Sequence, residues 1–427
     1  MVDFARVAFW ASSIVGTLSL TFCAGVYTTS TERPVANAIA GVMDDTRTLV
    51  EEVPNITGSR PIHFLMPARY RGSGVTVNKV DTDDLVLLSG FMGDDQKVRL
   101  IQRDGRIVRE WRLRVHELLP SAGQCRKAPM TDWNVSTHDT LIQPDGSIVL
   151  SFESCGMVKL DRCGGKLWST REMTHHSPNF LHDGRIVIGG ATHISSPAPW
   201  PIKSPYWEDL IRIYDANGKL LRERKITDLL LGSGLLPTIT ANGSDDARID
   251  GEFHLNEVEE LPERLASAFP MFAPGDLLVS LRNLNMILVT DANATRVKWY
   301  HTGPWIRQHD PDWQPDGRIT VFDNHRDPKG GGSRIVAIDP KTGQTETLYG
   351  GRKGQFFLTP ERGLHQIQPD DGLLIAEANY GRAFQVDRSG KVVWEYVNRF
   401  DDTDTAWLSG ASAYPRSYFT VSDWSCH

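Results

Sequence analysis

A chain of 427 residues that is 40% hydrophobic and 23% charged has a globular composition, without the bias of a disordered segment. At that length its core must be distributed over repeats or domains. The 46 basic and 53 acidic residues leave a formal charge of −7 and are dispersed, with no basic block, so nucleic acid is not an expected partner.

Residues 7–27 (VAFWASSIVGTLSLTFCAGVY) carry no charge. They are bounded by Arg6 and, further on, by Glu32 and Arg33. That stretch is long enough to cross a bilayer as one helix. It lacks the short apolar region and small-residue cleavage site of a signal peptide, and bulky Phe22 before Cys23 argues against lipoprotein processing. The expectation is an uncleaved anchor over 1–30 and a linker with a short helix over 31–72. The large remainder then lies outside the cytoplasm, as a single-pass inner-membrane protein facing the periplasm. Cys125, Cys155, Cys163 and Cys426 fall in that exported part, where three disulfide pairings are open and no zinc spacing appears.

From residue 73 onward one pattern recurs six times: an alternating apolar stretch, a polar turn usually containing Gly, then a second strand. The copies are 98–111, 157–168, 211–224, 286–299, 335–348 and 383–396. Each reads as a β-hairpin. Trp111, Trp168, Trp299 and Trp394 fall at equivalent places and are expected between neighbouring units. Six such units imply an all-β fold, a six-bladed β-propeller over 73–427 behind an N-terminal transmembrane helix. The last stretch, 407–427, is expected to close the ring on the first blade, with Cys426 placed to lock it.

A second pattern precedes five of the hairpins. His138, His176 and His309 each stand eight residues before a turn glycine (Gly146, Gly184, Gly317), and His365 stands seven before Gly372. His254 holds the same slot in the fourth unit, where an insertion (260–272) delays the turn. The first unit, read as 75–90, has no histidine there. Innermost propeller strands run beside the central axis, so these side chains are expected to converge on one channel mouth, with the insertion as a candidate lid.

At these residues the chain resembles the bacterial arylsulfate sulfotransferase family, exported six-bladed propellers that move a sulfuryl group between phenols. The likeness covers most of 130–400. It rests on Phe253-His254-Leu255-Asn256 followed by Ser280-Leu281-Arg282, on Gln308-His309-Asp310 followed by Phe322-Asp323-Asn324, and on the double histidine His175-His176. The resemblance implies an aryl sulfate donor, a phenolic acceptor and a sulfated histidine at His309. The residues suit that chemistry. A sulfate monoester spreads one charge over three oxygens, and Arg282 offers two parallel donors to it. Asn256 adds a neutral donor. A neutral imidazole at His309 can attack sulfur. His254 or His176 can exchange the phenolic proton. His138, His365 and Asn324 are assigned with Asn256 to substrate binding, and Trp200, Trp207, Trp305 or Trp313 to aromatic walls. No cofactor and no metal is called for, and there is no Gly-rich phosphate cradle.

The chain departs from the family in three ways. Residues 28–72 are too few for the β domain that precedes the family's propeller, His325 stands where the family usually has Gly, and the family's threonine near the last blade has no counterpart, its neighbourhood being that of His365. The alternative function is a non-catalytic propeller, a membrane-anchored scaffold or accessory subunit of a membrane complex.

Overall fold

The computed structural model describes residues 62–426 apart from 122–123, 127–130, 198–201, 203, 241–252, 326–328 and 330, together with residues 16, 21, 22 and 53. The chain divides into two units, Met1–Ile62 and His63–His427, and the strands all belong to the second. The expected anchor over 7–27, the short helix at 34–53 and Trp200 lie outside the described residues, apart from isolated positions. Among the described residues no helix is long and apolar enough to cross a membrane.

The second unit is a six-bladed propeller. Blades 2 to 5 are consecutive four-stranded antiparallel sheets, beginning at Thr137, Thr174, Leu255 and His309 respectively. Blade 6 begins at Leu364 and carries Gly74–Asn78 as an added fifth, outermost strand. In blade 1 the innermost strand comes from the far end of the chain, where Leu408–Tyr414 pairs with Leu85–Met92. The ring is therefore closed by both ends of the unit. The expectation that 75–90 holds the inner strand of the first blade is corrected: 74–78 belongs to the rim of blade 6.

Turn chemistry explains the regularity. In the outer hairpins an aspartate caps its own turn. The Oδ1 of Asp161 accepts from the backbone N–H of Cys163 (2.7 Å) and Gly165 (2.9 Å), and Asp215 and Asp387 repeat the device. Such carboxylates supply the bond the backbone lacks at a tight turn. In the inner hairpins Asp145, Asp183, Asp316 and Asp370 each accept from the N–H two residues on.

Blades are stitched by the repeated tryptophans. The indole N–H of Trp111 donates to Asp161 O (3.0 Å), that of Trp168 to Ala216 O (3.0 Å) and that of Trp394 to Arg103 O (2.9 Å). Each reaches the outer turn of the next blade. Trp299 instead packs against Phe272 and His301. Trp305 and Trp313 are buried in the core between blades 4 and 5 and form no channel wall. The insertion after Glu260 joins that core through Leu265, Phe269 and Phe272. It hangs from the far end of the strand that starts beside His254, about 20 Å away at strand rise, so it is no lid over the histidines.

Two disulfides are present, Cys125–Cys155 and Cys163–Cys426. The second fastens the C-terminal tail to the outer hairpin of blade 2, beyond the closing strand.

Candidate active site

All the histidine-bearing strands start on one face of the ring, and a local irregularity aims their side chains. The ladder between the first and second strands slips between Thr137 and Thr140 in blade 2, His175 and Asn179 in blade 3, Leu255 and Glu257 in blade 4, and His309 and Asp312 in blade 5. These are β-bulges, which re-aim a side chain at the cost of a ladder bond. His176 and His254 take the left-handed φ values of +63° and +59° there, a conformation that non-glycine residues hold only where the surroundings enforce it. For His254 the enforcement is visible. Asp209 accepts from the N–H groups of Phe253 (2.8 Å), His254 (2.9 Å) and Leu255 (3.3 Å).

His176 is the hub. Its ring lies 4.2 Å from His138, 4.9 Å from His254, 5.0 Å from His175 and 5.9 Å from His309, centroid to centroid. Arg282 follows the second strand of blade 4, and its Nη1 donates to His254 Nε2 (2.9 Å). Asn256 donates its amide to Gln308 O (2.6 Å), so part of the donor expected for substrate is spent on the residue that precedes His309. The Asn256 oxygen has no hydrogen-bond partner among the described residues.

The tautomer of His309 follows from its neighbour. The Nδ2 of Asn324 donates to the carbonyls of Thr359 (2.9 Å) and Arg362 (2.6 Å), which fixes which end of the amide is nitrogen. Its Oδ1 must therefore accept from His309 Nδ1 (2.7 Å), leaving the lone pair on Nε2. Burial, against the opposing effect of that Asn324 bond, holds His309 well below the ordinary histidine value. His176 is held well below it too, and His175 is pushed down to about 4, both chiefly by burial. At neutral pH these imidazoles are uncharged.

His365 is brought to a different level. Blade 6 has no slip in its inner ladder, so a residue seven before the turn glycine sits where Asp139, Ser177 and Asp310 sit in the bulged blades. Its Nδ1 bonds Asp310 (2.7 Å) and its Nε2 bonds Thr320 (2.7 Å). Burial disfavours its charge, but Asp310 outweighs this and raises it above the ordinary value. Around it lies an acidic layer. Burial pushes Asp139 up to about 7 and Glu259 up to about 8, and it drives Glu257 and Asp312 well above the carboxylate range.

Two residues at the centre were not singled out by the sequence patterns. Glu153 contacts His138 Nε2. It follows the second strand of blade 2 in the slot that Arg282 holds in blade 4, so Ser151-Phe152-Glu153 against Ser280-Leu281-Arg282 is the signal that could have found it. Arg362 is buried at φ +66° and donates to Thr137 O (2.5 Å) and Ser136 Oγ (2.7 Å). The next residue must be glycine, since a Cβ on Gly363 would lie 2.5 Å from the Phe322 ring. On the same face Trp207 lies under the Arg126 guanidinium (4.9 Å) and meets the His193 ring edge to face (5.3 Å), and it remains a candidate wall.

His138, Asn256, His309, Asp310, Arg362 and Ser409 are among the residues lining an axial cavity of about 10 Å³, room for about one water. A larger cavity of about 1100 Å³ lies among the turns of blades 5 and 6; of the sequence-predicted residues it touches only Trp313. His138, Glu153 and His176 bring one ligating atom each within 4.8 Å of one another, as do Asp310, Asp312 and His365. Both ring nitrogens of His365 are already committed. The guanidinium charges of Arg282 and Arg362 act on the histidine ring. We assign no metal ligand here.

The family model for arylsulfotransferase (ASST) matches residues 139–399. No curated protein matches. Among solved structures, the chain is similar to a protein of unknown function from Bacteroides caccae, at 13% identity over 78% of this chain and 99% of that one, with a TM-score of 0.49. A nidogen/laminin complex gives 11% identity over 78% and 99%, with a TM-score of 0.44. A catalytically inactive virginiamycin B lyase from Staphylococcus aureus with quinupristin gives 11% over 76% and 88%, with a TM-score of 0.40.

Proposed function

We propose a reaction from a plain premise: the chain belongs to the arylsulfotransferase (ASST) family. The reaction is transfer of a sulfuryl group from a phenolic sulfate ester to a phenolic acceptor through a sulfo-histidine at His309. The observation that carries it is the fixed tautomer of His309, whose Nε2 lone pair stays available because Asn324 takes the Nδ1 proton in a hydrogen bond. Nε2 attacks sulfur, the S–O bond to the phenol breaks, and its electron pair leaves on the phenolate oxygen, which takes up a proton. The acceptor phenol then loses its proton and attacks sulfur, and the N–S bond breaks.

Arg282, half-buried beside His254, is the cation for the sulfuryl oxygens, and fixed donors in a confined site stabilise charge most effectively. His254 and His176 are the acid–base candidates from sequence. The first is engaged with Arg282 and the second with His175. The cavity holds about one water, so the sulfuryl group enters as the surrounding side chains give way.

The test is release of a chromogenic phenol from its sulfate ester by the purified chain in the presence of an acceptor phenol. Mass spectrometry is expected to find an N-sulfo adduct on His309, and His309→Ala to abolish turnover. Full activity in that variant sinks the mechanism.

We propose further that residues 7–27 anchor the chain in the inner membrane, with the propeller on the periplasmic side. The two disulfides support an oxidising compartment. Recovery of the chain in the soluble fraction after gentle lysis speaks against the anchor.

A further inference from the structure

Two histidines line the axial cavity, and their partners differ in kind. His309 meets a neutral amide oxygen, which orients the ring without supplying a charge to pair with its protonated form. His138 meets the carboxylate of Glu153. A carboxylate accepts only, so the His138 nitrogen facing it, Nε2, carries the proton and Nδ1 bears the lone pair. The two rings thus present opposite tautomers to one small space.

We propose that His138, held by Glu153, is the acid–base residue that exchanges the phenolic proton, and that Arg362 beside it steadies the phenolate oxygen. The proposal rests on the sulfuryl-transfer reading of this site. In the acceptor half-reaction the phenol proton moves to His138 Nδ1 as the oxygen attacks sulfur and the N–S bond breaks. The imidazolium that forms is paired with Glu153. In the next donor half-reaction that proton passes to the departing phenolate, so protons balance over one cycle.

Three observations support this assignment over His254 or His176. First, a carboxylate stabilises the imidazolium created during proton transfer, whereas the Arg282 guanidinium on His254 and the His175 ring on His176 bring no negative charge. Second, burial would raise Glu153, but the contact with His138 and the Arg362 guanidinium oppose it and keep the carboxyl low, while burial and Arg362 hold His138 itself below the ordinary histidine value, so the resting pair is a carboxylate facing a neutral imidazole. Glu153 is therefore ionised and ready. Third, Arg362 lines the same cavity as His138 and His309, and its two bonds to Thr137 O and Ser136 Oγ aim it across the axis. Glu153 does not line the cavity and acts through His138, as a positioning residue.

The experiment measures turnover with donors and acceptors graded in phenol pKa, for wild type, His138→Gln, Glu153→Gln and His254→Gln. A phenol of pKa near ~10 needs its proton moved, whereas a nitrophenolate leaves or attacks with little help. The His138→Gln loss is expected to grow with phenol pKa, reaching on the order of 10²–10³-fold for unsubstituted phenol. Glu153→Gln is expected to show a smaller loss with the same trend. A uniform loss at every phenol in both variants, or no loss, overturns the proposal. So does the graded loss appearing in His254→Gln instead. If wild type releases no phenol from any aryl sulfate, the sulfuryl-transfer reading fails and this proposal with it. If wild type turns over and the grading is absent, only the present proposal fails.

Discussion

Asn324 does two things with one planar amide. Its NH₂ ties down the loop that carries Arg362, and its oxygen fixes the proton on His309 Nδ1. Removing it in Asn324→Ala frees the ring to flip and loosens the loop, and misplacement of a nucleophile by about 1 Å can cost on the order of 10²-fold in rate. Asn324→Asp is more informative. A carboxylate beside Nδ1 favours the imidazolium and raises the His309 pKa from its depressed value. If His309 is the nucleophile as proposed, it is then protonated on the acid side, so phenol release should gain a limb that rises with pH. Wild type, with His309 held low by burial, should lack that limb near neutrality. Coincident pH–rate profiles for the two proteins count against the assigned role.

The inner strands show how little backbone separates a histidine that reaches the axis from one that does not. A bulge at the start of the strand turns His176, His254 and His309 toward the axis. Without one, His365 drops to the acidic layer. Asp209 is the brace for the strand of blade 4, accepting three backbone N–H groups at its first residues. Asp209→Ala leaves those donors buried and unpaired at about 1–3 kcal/mol each. Urea unfolding should therefore show a loss of about 3 kcal/mol or more, with a smaller loss in Asp209→Asn. A stability change under about 0.5 kcal/mol, the range of an unremarkable surface site, would contradict the brace.

The same strands show what the sequence makes legible. Spacings of eight against seven residues were visible and coincide with bulged and regular ladders, but a spacing alone does not say which of the two faces the axis. The blades were legible because each hairpin repeats its polar turn and its alternation. The inner strand of blade 1 was not, because it arrives from the C-terminus without a hairpin of its own. Arg362 sits in a loop whose sequence changes from blade to blade, so no repeat marks it, and Glu153 shares a slot with Arg282 but carries the opposite charge, which hides the match. Trp305 and Trp313 look like any aromatic in sequence, and only the packed insertion shows that they serve the core.

At the scale of the whole ring, closure depends on a strand that is last in the chain. Leu408–Tyr414 must stay paired with Leu85–Met92 for blade 1 to exist. Beyond it the tail crosses to blade 2. Tyr418 Oη donates to Ile142 O (2.7 Å) and Thr420 N to Pro144 O (2.8 Å). Tyr414, Tyr418, Phe419 and Trp424 pack in succession at centroid separations of 5.0, 5.1 and 5.3 Å. Cys163–Cys426 then bolts the end, closing a sequence separation of 263, against 30 for Cys125–Cys155. Chain entropy in the unfolded state scales with the logarithm of the closed loop, so the longer closure should stabilise by about 2 kcal/mol more than the shorter one. Replacing Cys163 and Cys426 together by Ser should thus lower the urea midpoint further than replacing Cys125 and Cys155. Limited proteolysis of the former variant should cut first near 415–426, since only the aromatic packing and a few tail hydrogen bonds remain to hold it. Equal midpoints, or a reversed order, mean that the strand pairing of blade 1 already secures the ring and the disulfide adds nothing to its closure.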